Sequence, residues 1–374
     1  FIRGAGGRAS LEALAAAGGN SIRTWGADDL DPLLDAAHAL GLSVTVGIWL
    51  GHERHGFDYS DPKQLREQKE RARKAVLRYK DHPAVLLWGI GNEMEGDGSR
   101  IEVWQHVEAI AKRIKAEDPN HPTMTTIAEI GGKKVANIHT HCPSIDLIGI
   151  NAYGGAASIP ERYREAGGTK PYLLTEYGPR GPWDHQKNDV GSVDEELGRI
   201  KAETYLGSYR AVDADKGLCL GSFAFKWGHK QEATPTWFGM FLADGRKTAA
   251  VDVLTEAWSG KPVADRCPQI DALTLEKIEG IKVGTTLGAT LEAHDPEGKP
   301  LEVKWVLMED AKTHLTGGFA QATPPSFEKN ILEAGTSAVR FRVPARPGLY
   351  RLFAYVGDGG PGADVANVVF RADP

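Results

Sequence analysis

The chain has 374 residues, of which 41% are hydrophobic and 25% charged, and its formal net charge is −6. This is the composition of an ordinary globular protein with a large core, and no apolar run is long enough to span a membrane. The acidic balance argues against a nucleic acid partner, because phosphate binding needs a surplus of clustered Lys and Arg. Three cysteines without a CxxC motif exclude a disulfide framework and a zinc ribbon.

Short apolar runs alternate with helical segments from the first residue to about residue 260. We predict eight strands that are apolar throughout, as parallel strands covered on both faces are. They are Phe1–Gly4, Ser21–Trp25, Ser43–Leu50, Ala84–Ile90, Thr123–Ile127, Leu147–Ala152, Tyr172–Glu176 and Gly221–Trp227. Eight strands alternating with about eight helices predict an α/β protein whose domain 1–260 is a (β/α)8 TIM barrel. An open doubly wound sheet is the alternative, but no glycine-rich loop follows the first strand.

Capping residues mark the helix starts between these strands. Pro32 and Pro62 follow Asp31 and Asp61, which is the order of a cap and a first-turn proline. Sequences of the form S-x-x-E, typical of capping boxes, predict three further helix starts. They are Ser99–Glu102, Ser158–Glu161 and Ser192–Glu195.

After a polar, proline-containing linker, residues 268–374 change to short strands separated by turn sequences. The strands predicted here are Leu287–Ala293, Leu301–Met308, Ala338–Val343, Leu349–Val356 and Val365–Arg371. We therefore expect a smaller C-terminal β-sandwich of the immunoglobulin-like type, with Trp305 in its core, that buttresses the barrel. Three aspartates are assigned to turns, with a calcium ion as the open alternative: Asp295, Asp358 and Asp364.

Two glutamates follow strands on opposite sides of the predicted ring. Strand four runs into Asn92 and Glu93, and strand seven ends at Glu176. Catalytic groups of TIM barrels lie at the carboxyl ends of the strands, so both carboxyl groups point into one bowl. Hydrolysis of a glycosidic bond uses two carboxyl groups, one to protonate the leaving oxygen and one to attack or to activate water.

These residues resemble clan A of the glycoside hydrolases, which are retaining enzymes with barrel catalytic domains. The resemblance rests on Asn92, Glu93 and Glu176 and covers the first 260 residues. Asn20–Trp25 on strand two and the WGIGNE sequence on strand four are similar to the barrel domain of family 2 enzymes. A barrel followed by an immunoglobulin-like domain also resembles some clan A enzymes that act on β-1,3-glucans.

The resemblance implies a role for each matching residue. Glu93 would be the general acid and base, and Glu176 the nucleophile that forms a glycosyl-enzyme ester. Asn92 would hydrogen-bond the sugar 2-hydroxyl, and Arg23 would keep the nucleophile ionised. A retaining pair predicts a carboxyl separation of roughly 5–5.5 Å.

Further residues follow the barrel strands. The resemblance implies that Tyr153 donates a hydrogen bond to Glu176 and that Trp227 forms the floor beneath the sugar. Four residues are candidate sugar contacts, with a surface loop or core packing as the alternative: His52, His55, Trp183 and Trp237. Two tryptophans within strands are assigned to packing, and two spare glutamates to rim or salt-bridge positions: Trp25, Trp88, Glu95 and Glu129.

We therefore expect a retaining β-glycoside hydrolase that acts on a β-linked poly- or oligosaccharide, with a β-1,3-glucan as the candidate substrate. It would need no cofactor and no metal, and its partner would be a carbohydrate. A transglycosylase with the same carboxyl pair and a catalytically inert carbohydrate-binding protein are open alternatives. A metal-dependent barrel hydrolase is a third, since His139 and His141 form an HxH pair. We expect a secreted or periplasmic location, with a leader that is not visible in the chain because it was either removed or left out.

Overall fold

Eight short parallel strands close into a ring in sequence order in the computed structural model, which describes residues 1–311 and 321–374. The strands are β1 (Ile2–Gly6), β2 (Ser21–Arg23), β3 (Ser43–Ile48), β4 (Val85–Asn92), β5 (Thr123–Ala128), β6 (Leu147–Tyr153), β7 (Tyr172–Gly178) and β8 (Cys219–Ala224). They are buried on both faces, and every residue of β7 is buried, which explains their unbroken apolar sequence. The predicted (β/α)8 TIM barrel is confirmed.

Eight α-helices connect or follow these strands. They are α1 (Leu11–Ala16), α2 (Asp31–Ala39), α3 (Pro62–Tyr79), α4 (Ile101–Glu117), α5 (Lys134–His141), α6 (Ile159–Glu165), α7 (Gly198–Ala214) and α8 (Ala249–Ser259), within the described residues. Short 3-10 turns cover Glu53–His55, Ala156–Ser158, Pro182–Asp184 and Glu328–Asn330. The predicted cap of α3 is confirmed, since the Asp61 carboxylate accepts the Lys63 N–H at 2.8 Å. No helix in the described parts of the chain has the length and apolarity needed to cross a membrane.

Of the three predicted capping boxes, the one at Ser158 gives the correct helix start and the other two do not. Helix α6 begins at Ile159 with Ser158 as its N-cap residue, although the Ser158 side chain accepts no capping hydrogen bond. Helix α4 begins at Ile101, after Arg100 and not directly after Ser99. Ser192 lies well before the start of α7, and its hydroxyl donates to the Asp310 carboxylate. Short polar side chains bond to whichever backbone or tertiary partner is nearest, so the S-x-x-E pattern does not by itself select a helix end.

Contacts group the chain into two units, each assembled from two stretches of sequence. Unit 1 comprises Phe1–Gly178 and Gly207–Trp227, and unit 2 comprises Pro179–Leu206 and Gly228–Pro374. The barrel strands all belong to unit 1. Each of the predicted domains, residues 1–260 and residues 268–374, is one continuous stretch of sequence, unlike these units. The division of the chain into those two domains stays a prediction.

The described residues of unit 2 form two four-stranded sheets, in the orders β10-β16-β15-β12 and β13-β14-β11-β9. The strands are β9 (Gln269–Leu275), β10 (Ile281–Lys282), β11 (Thr286–His294), β12 (Glu302–Glu309), β13 (Ile331–Ala334), β14 (Ala338–Arg342), β15 (Gly348–Gly357) and β16 (Ala363–Asp373). Side chains from both sheets form one core that includes Trp305, as predicted for a sandwich. The sequence prediction missed β9, β10 and β13, which are short or poorly buried.

The aspartates of unit 2 have protein partners. Asp295 accepts the N–H groups of Glu297 and Lys299 in a turn, and Asp358 pairs with the Lys299 ammonium at 2.7 Å. Asp364 accepts the Ile270 N–H at 2.8 Å. Across residues 1–311 and 321–374, no group of three or more His, Cys, Asp or Glu side chains is arranged to hold a metal ion.

Candidate active site

Glu93 stands immediately after β4, on a sharp turn of the backbone. Gly91 has φ 75° and Glu93 has φ 53°, so the chain bends through the left-handed region twice within three residues. The N–H of Glu93 donates to the Thr126 carbonyl at 3.0 Å, which holds the turn against the end of β5. A non-glycine residue with positive φ is uncommon and tends to occur at functional sites. The turn directs the Glu93 side chain away from the line of the strand.

Glu176 lies within β7 and is 5% exposed. Its Oε1 accepts hydrogen bonds from Arg23 Nη1 at 2.9 Å and from Trp25 Nε1 at 2.7 Å, and its Oε2 accepts one from the Tyr153 hydroxyl at 2.6 Å. Three donors, one of them cationic, offset the loss of water around a buried carboxylate and hold it in one orientation.

A hydrogen-bond network joins the two glutamates. The Asn151 amide donates to Glu93 Oε1 at 2.7 Å and to Asn92 Oδ1 at 3.1 Å. Arg23 Nη2 donates to the same Asn92 oxygen at 2.6 Å. Arg23 also binds Glu176, so a continuous chain of polar contacts runs from one carboxyl group to the other across β2, β4, β6 and β7. Such a network orients both carboxyl groups before substrate arrives.

The environment of Glu93 favours its neutral form. Burial and, after it, the charge of Glu176 raise the pKa of the Glu93 carboxyl to about 7, while the hydrogen bond from Asn151 opposes the shift. Glu95 also raises the pKa, and Arg54 lowers it. A neutral acid beside a carboxylate that receives three donors is the division of roles that a double-displacement glycosidase uses.

The two histidines after β3 occupy different environments. His52 is 2% exposed, and its ring stacks on Trp49 with centroids 4.8 Å apart. Burial lowers the pKa of His52 to about 4, so the ring is neutral at physiological pH. His55 is exposed, and its ring centroid lies 5.2 Å from the ring centroid of His52. Their contact with sugar stays a prediction.

The predicted tryptophans differ in exposure. Trp227 follows β8, is 1% exposed and donates its indole N–H to the Ser10 carbonyl at 3.1 Å in unit 1. In unit 2, Trp183 is 51% exposed and stacks on Phe238, whereas Trp237 is 2% exposed and donates to the Arg180 carbonyl. Their roles toward a sugar stay predictions.

Two residues of the network were missed or misassigned from the sequence. Trp25 was assigned to packing but donates to Glu176, and Asn151 was not singled out at all. Each lies two residues from a predicted site residue, Arg23 or Tyr153. Side chains two apart on a strand share a face, so this spacing was the available signal.

The spare glutamates form ion pairs, as expected. Glu95 is 4% exposed and pairs with Lys134 Nζ at 3.1 Å, while its Oε1 also accepts the Ala128 N–H. Glu129 pairs with Arg162 at 2.7 Å. Trp88 is fully buried, which agrees with its assignment to packing.

Comparison with known proteins points to one family. Residues 34–195 match the family model for the TIM barrel domain of glycosyl hydrolases family 2. Bifidobacterium dentium β-glucuronidase complexed with coumarin-3-O-glucuronide is similar in structure, with a TM-score of 0.56, 19% identity and coverage of 70% of this chain and 47% of that one. Bacteroides uniformis β-glucuronidase gives a TM-score of 0.52 and 13% identity, covering 100% of this chain and 46% of that one.

A family 2 β-galacturonidase from Eisenbergiella tayi, bound to galacturonate, gives a TM-score of 0.53 and 18% identity, with coverage of 67% of this chain and 46% of that one. At these identities the structural likeness shows a shared fold. The chain spans about half the length of the solved structures that it matches. The family match over residues 34–195 and the closed eight-stranded ring together show that this chain contains a TIM barrel similar to the barrel domain of the family 2 glycosyl hydrolases.

Proposed function

We propose that this protein is a retaining β-glycoside hydrolase that acts on a β-linked poly- or oligosaccharide. The observation that carries the proposal is the pairing of Glu93, whose pKa is raised to about 7, with Glu176, which receives three hydrogen bonds within the same network. The first group has a proton to give near neutral pH, and the second is held as an oriented carboxylate.

The reaction follows from these two roles. A Glu176 oxygen attacks the anomeric carbon, the bond to the leaving oxygen breaks, and the Glu93 proton passes to that oxygen. The product is a glycosyl ester of Glu176, which no longer carries a negative charge. With that charge gone the pKa of Glu93 falls, so Glu93 ionises and takes a proton from the incoming water. Water attacks the same carbon and releases Glu176, and two inversions leave the configuration retained.

The hydrogen-bond network supplies orientation. Asn92 Oδ1 accepts from both Arg23 and Asn151, which fixes the direction of the Asn92 amide. A fixed amide can hydrogen-bond the sugar 2-hydroxyl, a contact that strengthens as positive charge develops on the ring. Tyr153 and Arg23 hold the attacking carboxylate in place.

The identity of the sugar that is cleaved from the substrate is a separate question. The β-1,3-glucan expected from the sequence gains no support from the comparisons, whereas the named structural neighbours are β-glucuronidases and a β-galacturonidase. We therefore include β-glucuronides and β-galacturonides with neutral β-glycosides and β-1,3-glucan as candidate substrates.

The test is a screen of the purified chain on 4-nitrophenyl β-glycosides of these sugars and on β-1,3-glucan. We expect turnover of at least one substrate, with the β-anomer as the first product by NMR. Glu176→Gln should lower kcat by roughly 10³-fold or more, since it removes the nucleophile. Unchanged turnover in Glu176→Gln, or an α-anomer as first product, would refute the mechanism.

The same assays separate the alternatives. Longer oligosaccharides among the products would indicate a transglycosylase, because a sugar then replaces water at the ester. Binding without turnover of any substrate would indicate a carbohydrate-binding protein. Loss of activity after treatment with a chelator would indicate a metal-dependent hydrolase.

A further inference from the structure

An exposed tryptophan lies at the carboxyl end of β3. Trp49 follows Ile48, the last residue of that strand, and 40% of its surface is exposed. An exposed indole at the end of a barrel strand offers a flat apolar face on which a ring can stack. In unit 1, the other tryptophans after residue 25 are Trp88, Trp104 and Trp227, and each is at most 1% exposed.

Trp49 lies next to the turn that carries Glu93. Strands β3 and β4 pair in parallel with Ile48 opposite Ile90, which brings Trp49 level with Gly91. The His52 ring covers one face of the indole. The Trp49–His52 stack therefore lies beside the end of β4, which runs into the turn that carries Glu93.

The loop that holds this stack is anchored to helix α3 and to the residues before it. The Gly51 N–H donates to Gln68 Oε1 at 2.7 Å, and the Gly51 carbonyl accepts the Tyr59 hydroxyl at 2.8 Å. Gln68 is 1% exposed and contacts His106 of α4 at 3.1 Å. Both backbone polar groups of Gly51 are thus held by buried side chains. A surface fixed in this way binds a ring without first having to be ordered.

From these contacts we infer that Trp49 is the platform on which the leaving-group ring of the substrate stacks. The inference rests on the proposed function, in which Glu93 protonates the leaving oxygen and the leaving group must therefore lie beside Glu93. A pyranose or an aromatic ring presents a flat apolar face, and an indole backed by a second ring matches it. Trp49 then determines specificity for the leaving group, while the network around Glu176 serves the sugar that is transferred.

The experiment compares two substrates that share one sugar and differ in the leaving group. An aryl glycoside leaves a ring, and the corresponding glycosyl fluoride leaves only fluoride. For Trp49→Leu we expect kcat/KM on the aryl glycoside to fall about 3- to 10-fold, as loss of one ring stack predicts, with the fluoride within about twofold of wild type. Trp49→Phe keeps a flat ring and should retain most of the aryl glycoside activity.

Leu220→Ala is the matched control. Leu220 is an exposed apolar side chain, 42% exposed, at the amino end of β8, which is the end of the barrel away from the catalytic residues. This variant should leave both substrates unchanged.

Equal losses on both substrates in Trp49→Leu, or no loss on either, would overturn the inference while leaving the proposed function standing. If the wild-type chain hydrolyses neither substrate for any sugar tested, the proposed function fails and the inference fails with it. Retained hydrolysis of the fluoride by Trp49→Leu also shows that the variant is folded.

Discussion

Glu93 owes its chemistry to its surroundings, since an exposed glutamate would be ionised far below neutral pH. Burial and the charge of Glu176 raise its pKa to about 7, so the proton is present below that pH and is lost above it. If Glu93 is the acid, kcat/KM falls as pH rises through about 7. The position of this basic limb is therefore a direct readout of the side chains around Glu93.

Glu95 provides a test of that electrostatic account. Its charge raises the pKa of Glu93, so Glu95→Gln should lower that pKa and move the basic limb of kcat/KM to lower pH. We expect a shift of less than about one pH unit, because Glu95 is also paired with Lys134.

The control for this shift is Glu129→Gln. Glu129 follows β5, with a side chain that is 43% exposed and paired with Arg162, and its charge is screened by water. The test is the pH profile of kcat/KM, measured on one substrate for wild type, Glu95→Gln and Glu129→Gln. A basic limb that stays in place in Glu95→Gln would remove Glu95 from the account.

Tyr153 tests the orientation of Glu176, the proposed nucleophile. Tyr153→Phe removes the 2.6 Å hydrogen bond to Glu176 Oε2 and keeps the ring. Hydrogen bonds to charged groups contribute about 1.5–3 kcal/mol, so kcat/KM should fall roughly 10- to 100-fold. Tyr163→Phe loses a hydrogen bond to the Lys170 carbonyl on the α6 side and should leave the kinetics unchanged. Equal kinetics for the two variants would contradict the role of Tyr153.

At the scale of elements, the end of β4 sets the position of Glu93. Gly91, the next-to-last residue of β4, has positive φ, and an L side chain there would have no room. A Cβ on Gly91 would lie 2.2 Å from Met94 Sδ. The same turn places Glu93 in the left-handed region, which is tolerated because the Glu93 N–H is held by Thr126.

Gly91→Ala should therefore disturb both stability and activity. We expect a loss of about 1–3 kcal/mol in the free energy of unfolding, from backbone strain and the clash with Met94, and a lower kcat because Glu93 is displaced. Gly41→Ala is the control, since Gly41 has φ 70° with open space around it. Gly41→Ala therefore introduces the backbone strain of an alanine at positive φ without a steric clash. Urea unfolding and kinetics on both variants test this, and an active, fully stable Gly91→Ala would show that the turn is not needed.

At the scale of the whole molecule, distant stretches of sequence share buried charges. In unit 2, Arg351 donates to Asp310 at 2.8 Å and to the Val193 carbonyl at 2.9 Å, and both charged side chains are 3% exposed. Asp310 also accepts the Ser192 hydroxyl. This cluster ties the segment that follows β7 to the sandwich strand β15 within one unit.

Removal of one charge from that cluster should be costly. Asp310→Asn leaves the Arg351 guanidinium buried without its carboxylate, and loss of one partner of a buried pair destabilises by about 3–5 kcal/mol. Asp213→Asn breaks an exposed pair with Lys216 and should change stability by less than about 1 kcal/mol. Denaturant unfolding of the two variants measures the difference. Similar values for both would mean that the buried cluster does not hold unit 2 together.

Much of this architecture follows from local pattern. The eight barrel strands were predicted because strands buried on both faces are apolar throughout, and Glu93 and Glu176 were found because parallel strands expose their carboxyl ends at one edge. The capping box predicted at Ser192 failed because Ser192 is held by Asp310, which is 118 residues away in sequence. Strand β13 was missed because most of its residues are exposed and carry no pattern.

The sequence by itself therefore determined the barrel, the sandwich and the two acidic residues, since periodicity and strand ends are properties of neighbouring residues. Only the tertiary structure decided that Asn151 and Trp25 bind those acids, that Pro179–Leu206 groups with the sandwich and that Trp49 remains exposed beside the acid. The physical reason is that hydrogen-bond partners and burial depend on which strands become neighbours when the ring closes. Arg23 and Glu176, 153 residues apart, meet only then.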